Sequence, residues 1–190
     1  SLDPQSWANW LSLSGLLLHL HRPLEARDAA NRGLAISPTQ LDLIDDKAKT
    51  YLQEGDLAGA QAVFAAVPTE VELTALVAFV SVSDFGWLLT PSQRDLLLRL
   101  TPGAFDDSRA RWAAALANEH WRRGNVALAR KFAEEARKSF LQDLKGAPDS
   151  PGFHASLGVM LAILGQGPEA TRAGERAVAL APIERDADVG

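Results

Sequence analysis

The chain has 190 residues, a net charge of −5, 47% hydrophobic residues and no cysteine. The apolar share excludes wholesale disorder, and the missing thiols exclude disulfides, thiolate zinc sites and cysteine nucleophiles together. The acidic balance is wrong for a nucleic-acid binder. Cysteine-free chains occur in cytoplasm and periplasm alike, so composition leaves the compartment open.

The longest apolar run, LSLSGLLLHL at residues 11–20, contains a histidine and is too short to span a bilayer. It lacks the basic flank and small-residue cleavage site of a signal peptide. It reads instead as the first helix of a pair that EARDAANRGLAISP (25–38) completes. The second pair ends in LAGAQAVFAAVP (57–68), the fourth has VALARKFAEEA (126–136) in its second helix, and the fifth closes with EATRAGERAVALAP (169–182). The first and last of these four segments align without a gap. Anchored on Ala26, Ala60, Ala129 and Ala170, they are 34, 69 and 41 residues apart. One spacing is a single period, the next is two periods plus one residue, and the last is one period plus seven. Seven residues make two helical turns and preserve the face, which predicts one long helix up to Gly146.

Turn formers separate the paired helices at Gly55-Asp56, Gly124-Asn125 and Gly165-Gln166-Gly167-Pro168, where glycine supplies the left-handed residue that ends a helix. The double spacing must hold a degenerate pair. VELTALVAFVSVS (71–83) is apolar enough for a buried helix, and TPSQRDLLLRL (90–100) has Thr90 as N-cap, Pro91 in the first turn and Gln93 to complete a capping box. Between them lies an aromatic loop, DFGWLL (84–89). Its DFG is not read as a kinase triplet, because no Gly-rich loop, catalytic loop or nucleotide lysine accompanies it. Ser150-Pro151 then opens the last pair.

These units resemble the tetratricopeptide repeat, a 34-residue helix-turn-helix with the pattern W-x2-L-G-x2-Y…A-x3-F…P. The last pair carries Leu157, Gly158, Ala170, Ala177 and Pro182; the second keeps Tyr51 and Phe64 around Ala60; the first keeps Trp10, Leu13, Ala26 and Pro38. The resemblance implies an all-α, right-handed α-α superhelix, a solenoid of about ten helices. It would be a single repeat domain over 1–190 with units near 4–38, 40–69, 70–103 (degenerate), 107–148 and 150–184. Small residues on facing sides let the paired helices approach closely, and neighbouring pairs stack because none can bury its apolar side alone. The order of segments over 86–187 is also similar to the C-terminal repeat region of multidomain bacterial signalling proteins, the serine/threonine kinases and adenylate cyclases with TolB-like segments. With Ser1 and not Met at its start, the chain reads as a piece of such a protein.

What the resemblance implies is a protein-interaction scaffold, not an enzyme, with no cofactor and no metal. A peptide or partner protein would lie in a concave groove lined by the first helix of each unit. The repeat phase places Asp42, Asp45, Lys49 and Gln53 there from the second unit. Arg111, Asn118, Trp121 and Arg122 come from the fourth segment, while Leu11, Gly15, Leu18, His19, Ala155, Val159 and Ala162 come from the two ends. The Lys/Asn pairs of a carboxylate clamp are missing: the corresponding positions hold Leu11/Gly15, Asp45/Lys49, Ala114/Asn118 and Ala155/Val159. The alternative is a small-ligand sensor or enzyme module with a pocket around 84–87. Neither His19 and His21 nor the later His120 and His154 have the i,i+4 spacing of helical metal ligands. Asp106-Asp107 reads as dipole compensation ahead of a helix. Trp10 and Trp112 are expected in the core, with Trp7, Trp87 and Trp121 freer. After Pro182, IERDADVG is too short and polar to cap the last helix, so Val178 and Leu180 should lie open to a further unit or to self-association with another copy.

Overall fold

The computed structural model describes residues 6–83 and 85–181. Among them the chain is entirely helical, with ten α-helices in five consecutive pairs: α1 (Trp7–His19) with α2 (Pro23–Ile36), α3 (Leu41–Gln53) with α4 (Leu57–Ala65), α5 (Leu73–Val82) with α6 (Pro91–Leu97), α7 (Arg109–Arg122) with α8 (Val126–Gly146), and α9 (Pro151–Leu164) with α10 (Gly167–Leu180). Short 3₁₀ turns cover Gly86–Leu88 and Pro102–Phe105. The helices gather into two compact units, residues 1–96 and 97–190. Asp84, Pro182 and the polar tail lie outside the described residues, and so do the expectations that rested on them.

In the first unit α2 packs on α1 and α3, and α3 on α4. The small residues there serve close approach: Ala26, Ala29 and Ala30 are buried, and a Cβ on Gly33 would stand 2.6 Å from Leu43 Cδ1. Gln53 Nε2 donates to the Leu18 carbonyl at 2.8 Å, tying the end of α3 to the end of α1. The capping box read at Thr90 and Gln93 forms, but α6 ends at Leu97 and not at Leu100. The Thr90 N–H donates to Gln93 Oε1 at 2.8 Å and the Gln93 N–H to Thr90 Oγ1 at 3.3 Å, a closed capping box. Gln93 Nε2 also donates to the Phe64 carbonyl at 2.9 Å.

In the second unit one core runs through α7, α8, α9 and α10: Ala113, Ala117, Ala129, Ala133, Ala136, Phe140, Leu157, Met160, Leu161 and Ala173. Here Gly158 is the close-contact position, where a Cβ would meet the Ala170 carbonyl at 3.2 Å. Trp112 stands edge-on to Phe132 at 5.6 Å and donates its indole N–H to Leu100. Ser108 and Ser150 cap α7 and α9. Asp106 and Asp107 have left-handed backbones, φ 53 and 57, and they directly precede Ser108, the N-cap of α7.

The three interhelix glycines are left-handed as expected, at φ 75 (Gly55), 73 (Gly124) and 82 (Gly165). In the first hairpin the same repeat position is His21, also left-handed at φ 54. Its Cβ meets the steric cost that glycine avoids. No helix among the described residues is long and apolar enough to cross a membrane.

Candidate partner-binding surface

Two helices carry the polar positions that the repeat phase assigns to a binding face, one in each compact unit. On α3 the positions are Asp42, Asp45, Lys49 and Gln53. Asp42 is exposed and accepts from Gln40 Nε2 at 3.2 Å. Asp45 and its neighbour Asp46 are buried, which their sequence position did not foretell. Lys49 Nζ lies 2.7 Å from Asp45 and 3.7 Å from Asp46, so this cation already serves two carboxylates of its own helix. Gln53 is spent on the Leu18 carbonyl.

The two aspartates are only partly compensated. Asp45 Oδ1 and Asp46 Oδ2 are buried without a hydrogen-bond partner among the described residues. Burial pushes both carboxyls above the usual carboxylate range; Lys49 opposes this at each, and Ser14 also does at Asp46. For Lys49, burial works against the charge, but the hydrogen bond and field of Asp45, joined by Asp46, hold the ammonium above its ordinary value. A carboxyl that binds its proton more tightly folded than unfolded contributes most stability below its unfolded value of about 3.9. That contribution is lost as pH rises through the raised folded value. Asp46→Asn, at the more weakly paired site, is therefore expected to stabilise the protein at pH 7 by roughly 1 kcal/mol and to flatten the decline in melting temperature from pH 4 upward. Thermal melts across that range check both.

On α7 the positions are Arg111, Asn118, Trp121 and Arg122. Arg111 is exposed and 3.6 Å from Asp106. Asn118 is half-buried, and Trp121 presents 48% of its surface. Arg122 Nε donates to Glu119 at 3.2 Å, and Arg123 Nε to the other oxygen of Glu119 at 2.6 Å. Glu119 is 1% exposed, a buried carboxylate between two arginines that sequence periodicity gave no reason to single out. Beside it His120 takes the framework tyrosine position and stacks on Phe132, ring centroids 5.5 Å apart and 6° from parallel. Burial, then the Arg123 charge, lower its pKa against the pull of Glu119, so the imidazole is neutral and serves packing. His154 lies with Nε2 2.8 Å from the Pro148 carbonyl.

α9 packs beside α7. In the repeat register its Ala155, Val159 and Ala162 match Ala114, Asn118 and Trp121, and all three are exposed. The α9 positions offer apolar contact with no polar atom. In the first unit, Gly15 on α1 faces open space and Leu18 is buried. Of the aromatics expected to be freer, Trp7, Trp87 and Trp121 are all exposed, while Trp10 and Trp112 are packed. The exposed polar capacity at these positions is thus Asp42 on α3 in the first unit, and on α7 in the second unit Arg111 and the half-buried Asn118, with Trp121 as the large apolar group of that helix.

No family model matches the chain, and no curated protein matches its sequence. Among solved structures the chain is similar to one in the APC/C hetero-tetramer Cut9–Hcn1, at 14% identity and a TM-score of 0.56, over 94% of this chain and 34% of that one. YrrB, described as a TPR protein with an unusual peptide-binding site, is 15% identical with a TM-score of 0.41, over 96% and 90% of the two chains. MamA is 13% identical with a TM-score of 0.36, over 98% and 83%. The Cut9–Hcn1 likeness shows the fold to be all-α and tetratricopeptide-like. This chain spans about a third of that neighbour's length.

Proposed function

We propose that the chain is a protein-interaction module, without catalytic activity of its own, that takes a peptide or partner segment on α7, with the polar face of α3 in the other compact unit as a separate contact surface. The observation that carries this reading is Trp121. It is a large aromatic left 48% exposed on α7, beside outward-facing Arg111 and half-buried Asn118. Aromatic anchors of that kind dominate binding energy where a partner desolvates them. Arg122 is committed to its own carboxylate, so direction along a partner on α7 is set by Arg111 and the Asn118 amide; on α3 Lys49 is likewise committed and Asp42 is the exposed charge. The tetratricopeptide-like fold supports the reading. The succession of segments over 86–187 supports a place in a larger bacterial signalling protein, whose catalytic module lies elsewhere in that protein.

The test uses a partner captured on the wild-type chain and titrated calorimetrically. Trp121→Ala is expected to weaken binding by about 2 kcal/mol or more, near 30-fold in Kd, with the melting temperature unchanged because half the ring is already in water. Asn118→Ala gives a smaller loss. If both variants bind as tightly as the wild type, α7 is not the site.

A further inference from the structure

The chain makes the junction between one hairpin and the next in a recurring register, and the two ends of the chain each carry one half of it. On the side of the preceding hairpin the junction uses two small residues of its second helix. These are Ala30 and Gly33 on α2, and Ala133 and Ala136 on α8, all buried. On the side of the following hairpin it uses two residues one turn apart on its first helix. On α3 these are Thr50 and Glu54; on α9 they are Met160 and Leu164. At the α2/α3 junction the contact is polar: Arg27 stacks over Tyr51 at 3.6 Å, donates to Thr50 at 2.9 Å and pairs with Glu54. At the α8/α9 junction it is apolar, with Met160 and Leu164 in the core that contains Ala133 and Ala136.

The same register marks both ends. On α10 the small pair is Gly174 and Ala177. Both are only half-buried, and a Cβ on Gly174 would meet nothing within 4 Å. On α1 the outward pair is Leu16 and Leu20, each 55% exposed, and Leu24 extends the patch. The arginine of the polar junction is replaced on α10 by Thr171, and its two acceptors are replaced on α1 by leucines. Both halves have therefore lost their polar groups together. Neither face holds an unpaired charge that would oppose burial against the other, and the pair matches the apolar chemistry of the α8/α9 junction. Val178, 63% exposed, borders the α10 half.

We infer that the α10 face of one copy takes the α1 face of a second copy, Leu16 and Leu20 meeting Gly174 and Ala177, the register positions that Met160, Leu164, Ala133 and Ala136 hold in the core of α8 and α9. Such a contact is heterologous, joining two different surfaces, so each copy offers one half of each kind.

The 190-residue chain is followed by sedimentation velocity over a concentration series. Its weight-average mass is expected to climb above the 20.4 kDa of the monomer as concentration rises. Two variants break one half each: Leu16→Glu with Leu20→Glu, and Gly174→Glu, for which Ala177→Glu substitutes should the first lose its helical circular dichroism. Each alone remains at 20.4 kDa. Mixed, the two restore one intact α10 half and one intact α1 half, and give a 1:1 complex that grows no further. A wild type monomeric at every concentration overturns the inference, whether the α10 face is covered by residues 182–190 or by nothing. So does a Leu16→Glu/Leu20→Glu variant that still self-associates, since that is an isologous contact, and so does a mixture of two folded variants that stays monomeric.

Discussion

Phe64→Ala is expected to destabilise the protein by about 3–5 kcal/mol, the range for deleting a fully buried phenyl side chain. Phe64 has no exposed surface, and it stands where the other second helices carry Ala30, Ala133 and Gly174. Of those helices, α2 and α8 are each followed by a regular hairpin that packs on them. α4 is only nine residues long, and the pair after it departs from the repeat. The ring fills space that a close helix fills elsewhere. Its removal leaves a cavity that cannot collapse, because the Phe64 carbonyl is held by Gln93 and Gln93 is fixed in turn by the Thr90 cap. Urea denaturation measures the loss; a value near that of an exposed residue such as Trp121 would show that α4 repacks freely.

The second large effect is expected from Arg122→Ala combined with Arg123→Ala. Glu119 is buried, and its two oxygens are each held by one of these arginines. Removing one side of a buried ion pair strands the other, at a cost of 3–5 kcal/mol in enclosed sites. Each arginine is about one-third exposed, so water replaces part of the lost interaction and the expected loss is about 3 kcal/mol, at the low end. Glu119→Ala should cost less, because the arginines it frees can turn to solvent while no charge remains inside. That ordering is the test, read from denaturant midpoints of the three chains. Equal losses would mean that packing, and not charge, accounts for the effect.

Much of the molecule was legible in the sequence because its signals are local. Helix starts at Ser150 and Thr90 follow from hydroxyl caps and prolines, and the left-handed ends at Gly55, Gly124 and Gly165 follow from glycine alone. The period of small residues was visible because close helix approach leaves the same mark at each repeat. Tertiary structure alone decided everything that depends on which neighbour a side chain meets. Asp45, Asp46 and Glu119 looked like ordinary surface acids, since helical periodicity assigns faces but cannot say which face another helix covers. Gln53 fell on the expected binding face by register, yet the Leu18 carbonyl on α1 engages it, whereas Lys49 pairs with Asp45 as their i,i+4 spacing predicts. His21 took the left-handed turn in the place of a glycine, imposed by the packing of α1 on α2. Leu16 and Leu20 differ from Met160 and Leu164 in no chemical property a sequence shows; they are exposed because no described helix lies over them.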